Sequence, residues 1–191
     1  MKNAIILHGM PTKENYYNPD RPSQSNSHWL PWLAQQLIVR DIYAVTPEIP
    51  KAYETVWERW LKEVERFDIN ENTMLVGHSC GGGFWLRYLS ERSKLKVNRV
   101  ALVAPSFGLG WDEEDRQAMF DDFNLDSELV SRTKGIVVFN STDDRDSIQE
   151  SVKTVLGTVK NVKYKEFTGR GHFTESTMHS TEFPELLEEL I

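Results

Sequence analysis

Short β-branched apolar runs alternate along this chain with stretches whose apolar residues recur every three or four positions. The runs are Ala4–Leu7, Ile42–Thr46, Thr73–Val76, Arg99–Val103, Gly135–Asn140 and Val162–Phe167. Each reads as a buried strand. Over His28–Val39, Trp29, Leu30, Leu33 and Leu37 share one helical face, with Ser27 as the expected N-cap. Over Thr55–Phe67, Val56, Trp60, Val64 and Phe67 do the same. Helices are also predicted over Gly81–Glu91, Ser147–Leu156 and Glu182–Leu190. His8-Gly9-Met10-Pro11 ends the first strand, and residues 11–27, rich in Pro, Asn and Ser, read as a loop.

This alternation predicts an α/β protein with about six mainly parallel strands and helices on both faces. Residues 1–191 are expected to form a single domain. On such sheets ligands bind at the carboxyl ends of the strands. Chemistry-bearing residues are therefore sought just after each apolar run.

One segment breaks the pattern. Residues 105–133 form a long insertion, and Trp111 to Val130 carries eight acids against one Arg. It fits either a solvated amphipathic helix or a small lid, with Phe107 and Trp111 facing a pocket.

Composition narrows the function. The chain carries 22 Lys and Arg against 29 Asp and Glu, a formal charge of −7. That balance argues against a phosphate-tracking nucleic-acid binder. No apolar run approaches the length of a membrane span. Cys80 is the one cysteine, so neither an internal disulfide nor a thiolate metal cage can form. A cytoplasmic location is expected. Nothing in the sequence implies a cofactor or a metal.

The strongest chemical signal is Val76-Gly77-His78-Ser79-Cys80-Gly81-Gly82, a G-x-S-x-G frame between a strand and a helix. A sharp turn there holds the serine hydroxyl above the sheet, and the flanking glycines let strand and helix approach. The amide of Cys80 then faces a reacting carbonyl oxygen at the helix N-terminus. A serine nucleophile needs a base and an orienting carboxylate, in the chain order Ser, acid, His. Ser141-Thr142-Asp143-Asp144-Arg145-Asp146 follows the fifth strand, and Gly171-His172-Phe173 follows the sixth. Three acids compete to orient His172. Asp143 suits a turn cap and Asp146 a helix cap, which leaves Asp144.

With these residues in view, the chain resembles the small α/β-hydrolases of the retinoblastoma-binding-protein-9 type. The resemblance rests on Ile5-Ile6-Leu7-His8-Gly9, Trp29-x-x-Trp32-Leu33, the Ser79 elbow, Ser141-Thr142-Asp143-Asp144 and Gly171-His172-Phe173. It implies a single-domain serine hydrolase and places the acid on Asp144. It also implies a sheet without the antiparallel start of larger members. The L-x-C-x-E partner motif of that family's name does not fit around Cys80, so no such partner is expected.

Pro11 has no N–H, so the second oxyanion donor is expected to be the Met10 amide beside that of Cys80. His8 and His78 are expected to buttress the elbow and border the pocket. The expected activity is cleavage of a small ester, thioester or amide through an acyl-enzyme. The rival reading is a hydrolase-fold module that binds a protein or ligand with little turnover. The expected partner is a small acyl substrate, with no nucleic acid and no membrane. Oligomeric state is left open.

Overall fold

The computed structural model describes residues 1–108, 119–121 and 123–191. Six strands form: β1 (Asn3–Leu7), β2 (Tyr43–Val45), β3 (Thr73–His78), β4 (Val100–Val103), β5 (Ile136–Ser141) and β6 (Lys163–Phe167). They pair in one all-parallel sheet of order β2-β1-β3-β4-β5-β6. The expected α/β-hydrolase architecture is thus present. In register, Ile5 lies opposite Leu75, and Leu75 opposite Val100. Every residue of β3, β4 and β5 is buried. This is why these strands read as continuous apolar runs rather than alternating ones. The edge strand β6 is largely exposed, and its Lys163 and Lys165 pair with Glu189. Charged side chains of this kind discourage pairing with another chain.

Seven α-helices form among the described residues, five between the strands and two after β6. They are α1 (Lys13–Tyr16), α2 (Leu30–Ile38), α3 (Trp57–Val64), α4 (Cys80–Ser90), α5 (Asp146–Thr158), α6 (Glu175–Met178) and α7 (Pro184–Leu190). On one side α2 packs with α7, where the Trp29 and Phe183 rings meet edge to face. On the other, Trp57 and Trp60 of α3 lie against Phe84 of α4. Trp29, Trp60, Trp85 and Phe84 are fully buried. Burial of such rings dominates the energetics of a core. No helix among the described residues is long and apolar enough to cross a membrane.

Several local expectations shift. The loop over 11–27 contains α1 and a 3₁₀ turn at Gln24–Asn26. Ser27 does not cap α2, because His28 turns the chain in a left-handed conformation (φ 59°) and moves the helix start to Leu30. The Ser27 hydroxyl instead donates to the Ser23 carbonyl at 2.9 Å. Asp146 is the first residue of α5 rather than its cap, a place that still suits an acid beside the helix dipole. Residues 109–118 and 122 of the expected insertion, and with them the pocket role of Trp111, lie outside the described residues. The described remainder includes a 3₁₀ turn at Leu129–Arg132.

Candidate active site

In a sheet of this order, the chain crosses from one side of β1 to the other between β2 and β3. The crevice between β1 and β3 is therefore the topological switch point. Two expected site segments meet there: His8-Gly9-Met10 after β1, and Ser79 after β3.

The Ser79 turn is held by main chain. Ser79 adopts φ 53°, ψ −120°, a conformation that L side chains rarely take. Its N–H donates to the Val103 carbonyl at 2.9 Å, which carries the ladder one step past β3. Its carbonyl accepts from the Gly82 and Ser106 amides at 2.9 and 3.0 Å. Gly81 permits the fold, since a Cβ there would lie 2.6 Å from the His8 carbonyl oxygen. At Gly77 a Cβ would overlap the Gly81 carbonyl. These contacts are the physical content of the glycine spacing.

His8 is buried, with both ring nitrogens engaged by backbone. Its Nε2 accepts from the Ile49 amide at 3.0 Å, so Nδ1 carries the proton and donates to the Gly9 carbonyl at 2.7 Å. Burial lowers its basicity, while the nearby Glu48 carboxylate opposes that in part. The ring thereby fixes the loop that carries Met10. Neither the Met10 nor the Cys80 amide donates to a backbone carbonyl outside a helix. Both lie against the Cys80 thiol. That thiol is fully buried, and burial pushes its pKa up to about 12. Such a thiol is protonated at neutral pH and a poor nucleophile.

Asp144 and His172 are brought together from the ends of β5 and β6. His172 Nδ1 lies 2.7 Å from Asp144 Oδ2, and the Asp144 side chain is almost fully buried. The other carboxylate oxygen accepts from the Arg145 amide at 2.7 Å. Asp143 takes a different task. Its Oδ1 accepts from the Ser141 hydroxyl and from the Gly169 and Gly171 amides, joining the two loops. Those bonds, the Ser141 hydroxyl first, lower its pKa.

Two further straps hold the His172 loop. His78 Nε2–H donates to the His172 carbonyl at 2.7 Å, and Trp29 Nε1–H donates to the Phe173 carbonyl at 3.1 Å. His78 is buried, and burial, followed by its histidine neighbours His172 and His28, pushes its pKa well down. It is therefore a neutral donor at pH 7. Nothing in the sequence pattern marked Trp29 for this task, because helical spacing explains it as core.

Ser79 and His172 line one cavity of about 120 Å³, together with His8, Gly9, Met10 and His78. Gln24, His28, Arg145 and Thr174 complete its lining. Sequence reasoning did not place Gln24, Arg145 or Thr174 there. Phe107 is not among these residues. It packs against Phe120 and Phe123, with its amide on the Ser151 hydroxyl. Among the described residues, Ser79 Oγ makes no hydrogen bond to His172. Contacts of this type are often long until substrate is bound. Chemically, the cavity gathers a hydroxyl on a strained turn and an imidazole with a buried carboxylate behind it, with the Met10 backbone in its wall.

Comparison with known proteins identifies the family and the fold. The family described as serine hydrolase matches residues 21–190. The YdeN protein of Bacillus subtilis (strain 168), whose hydrolase designation is itself provisional, is 26% identical over 171 residues, covering 86% of this chain and 87% of that one. The crystal structure of the ydeN product from B. subtilis superposes with a TM-score of 0.77 at 24% identity, covering 100% and 97% of the two chains. Est1E from Butyrivibrio proteoclasticus superposes with a TM-score of 0.66 at 14% identity, covering 99% and 86%. These likenesses to solved structures show the α/β-hydrolase fold.

Proposed function

The chain belongs to the serine hydrolase family, and from that premise we propose that Ser79, His172 and Asp144 cleave a small ester, thioester or amide through an acyl-enzyme. One observation carries the reading: the buried 2.7 Å pairing of His172 Nδ1 with Asp144 Oδ2, in a ring that borders the same cavity as Ser79. With its Nδ1–H held by the carboxylate, the imidazole presents the Nε2 lone pair to the cavity.

In the proposed sequence, Ser79 Oγ attacks the carbonyl carbon and His172 Nε2 takes the hydroxyl proton. Asp144 stabilises the imidazolium and keeps its tautomer. The Met10 and Cys80 amides receive the oxyanion. Collapse of the tetrahedral adduct breaks the bond to the leaving group, which takes the proton from His172. Water then repeats the steps and frees the acid. The cavity volume matches about four waters at ~30 Å³ each, which suits a short acyl group.

The resemblance to the retinoblastoma-binding-protein-9 type supports the same assignment. The reading takes residues 1–191 as one hydrolase domain, with 105–133 as its lid-like insertion. It acts on a small cytoplasmic substrate. Intact mass after exposure to a fluorophosphonate probe tests the proposal. One adduct on the wild type, absent from Ser79→Ala, is the expected result. An adduct that persists in Ser79→Ala, or none on folded wild type, would overturn it.

A further inference from the structure

A groove of about 1040 Å³ opens beside the Ser79 cavity, and Met10, Gln24, His28 and Thr174 line both. Its walls come from residues 10–28 and 174–182. Only Met10, Pro11 and Pro22 among the lining residues lack a hydrogen-bonding side chain. Apolar and polar surface share the lining about evenly, and an alkyl chain would leave the groove's many hydrogen-bonding side chains without partners. The edge strands β2 and β6 contribute nothing to the lining, so an extended peptide finds no strand to pair with. Both charge signs are present, Arg21 against Glu175 and Glu182, which suits an uncharged polar occupant.

His28 stands where cavity and groove join. Its backbone is left-handed (φ 59°) between Ser27 and Trp29, a costly conformation for a residue with a Cβ. Strain of this kind persists where surrounding structure enforces it and concentrates at functional sites. The ring's Nδ1 accepts from the Glu175 amide at 3.2 Å, which leaves the proton of the neutral ring on Nε2. Partial burial lowers the pKa of this ring, and the neutral tautomer prevails at pH 7.

We propose that the groove holds a hydroxylated leaving group, the polyol or sugar side of an ester, and that His28 Nε2–H donates to one of its hydroxyls. This rests on the hydrolase reading above. It assigns His28 a substrate-binding role that decides which alcohols leave well. A site built around a hydroxyl discriminates against analogues that lack one, because its polar groups are then left unpaired.

The test holds the acyl group constant and varies the alcohol. Values of kcat/KM are measured for glyceryl monoacetate, an acetylated methyl glycoside and butyl acetate, on wild type, His28→Gly and His28→Asn. Glycine accepts the positive φ, so His28→Gly is expected to keep a cooperative thermal transition while losing the ring. The hydroxylated esters are expected to be preferred over butyl acetate. The preference should shrink about 3–10-fold in His28→Gly, the size of one hydrogen bond. His28→Asn, which tolerates the left-handed region and offers an amide donor, should recover part of it.

Equal rates on all three esters would overturn the proposal, as would a preference that survives unchanged in His28→Gly. Faster cleavage of an N-acetyl amino-acid amide would assign the groove to peptide and overturn it. If none is cleaved while a fluorophosphonate still labels Ser79, the groove proposal alone falls. If labelling fails too, it falls together with the reading beneath it.

Discussion

His78 Nε2–H donates to the main-chain carbonyl of His172 at 2.7 Å, and the two rings lie 5.0 Å apart by centroid. The residue before the proposed nucleophile thus holds the loop of the proposed base, 94 positions away in sequence. His78→Leu would leave that carbonyl without a donor, at a cost of about 1–3 kcal/mol in stability. It would also loosen the ring, and small displacements of a reacting group lower kcat by up to ~10²-fold. His78→Gln, which retains a donor, is expected to recover part of kcat. Equal kcat for both variants and wild type, at matched folded fraction, would show that the strap has no bearing on turnover.

Asp144→Asn should preserve the geometry and invert the tautomer. An amide that donates toward Nδ1 forces the proton onto Nε2, where the imidazole can no longer accept from Ser79. A fall of about 10⁴-fold in kcat is expected, with KM little changed. Steady-state kinetics on a short-chain nitrophenyl ester provide the check. A loss under tenfold would mean that another group orients His172.

Ser79→Gly is expected to raise stability while abolishing turnover. The serine holds φ 53°, ψ −120° with a Cβ attached, a strain of order 1–3 kcal/mol that glycine relieves. Glycine gives back ~0.5–1 kcal/mol through unfolded-chain entropy. Each net kcal/mol corresponds to about 2–4 °C in Tm for a chain of this size. Ser79→Ala keeps the Cβ and should show no such gain. Identical melting of the two variants would mean that the turn is not strained.

The histidines predict how stability depends on pH. Burial is the leading cause of the lowered pKa of His8 and of the much lowered pKa of His78. In the unfolded chain both titrate near the ordinary value of about 6.5. Below that pH the unfolded state binds protons that the folded state refuses. Their contribution is therefore complete above about pH 6.5 and is lost as pH falls below it. Each can remove up to ~1.4 kcal/mol per pH unit in that window. The lowered carboxylate of Asp143 acts only below about pH 4 and does not interfere. Chemical denaturation at pH 7.0, 6.0 and 5.0 should show falling stability, with a smaller slope in His78→Gln. A flat profile would mean that these rings are not buried neutral.

The fold was readable because its signals are local. β3, β4 and β5 are buried on both faces and therefore appear as unbroken apolar runs. The Ser79 turn was readable for a similar reason, since Gly77 and Gly81 must lack a Cβ wherever strand and helix backbones touch. The neighbours of Ser79 were less legible. Ser27 carries a cap signal, yet the left-handed turn at His28 lies between it and α2, and no local pattern announces that turn. Arg145 and Gln24 reach the cavity only through the path of their loops. Phe107 fits a pocket-facing pattern in sequence, but a cluster of phenylalanines gives it more contact.

The close approach of β3 and α4 also separates what can change from what cannot. At Gly77 and Gly81 the wall beside Ser79 is main chain, and no substitution reshapes main chain without moving it. The groove is walled by residues of two segments, 10–28 and 174–182, in which His28 and His179 hold left-handed turns. A combinatorial library over those segments that spares Met10, His28 and His179 explores new substrates while the proposed bond-breaking groups stay in place. The molecule is in this sense modular within a single sheet, with an inheritable engine and an exchangeable mouth.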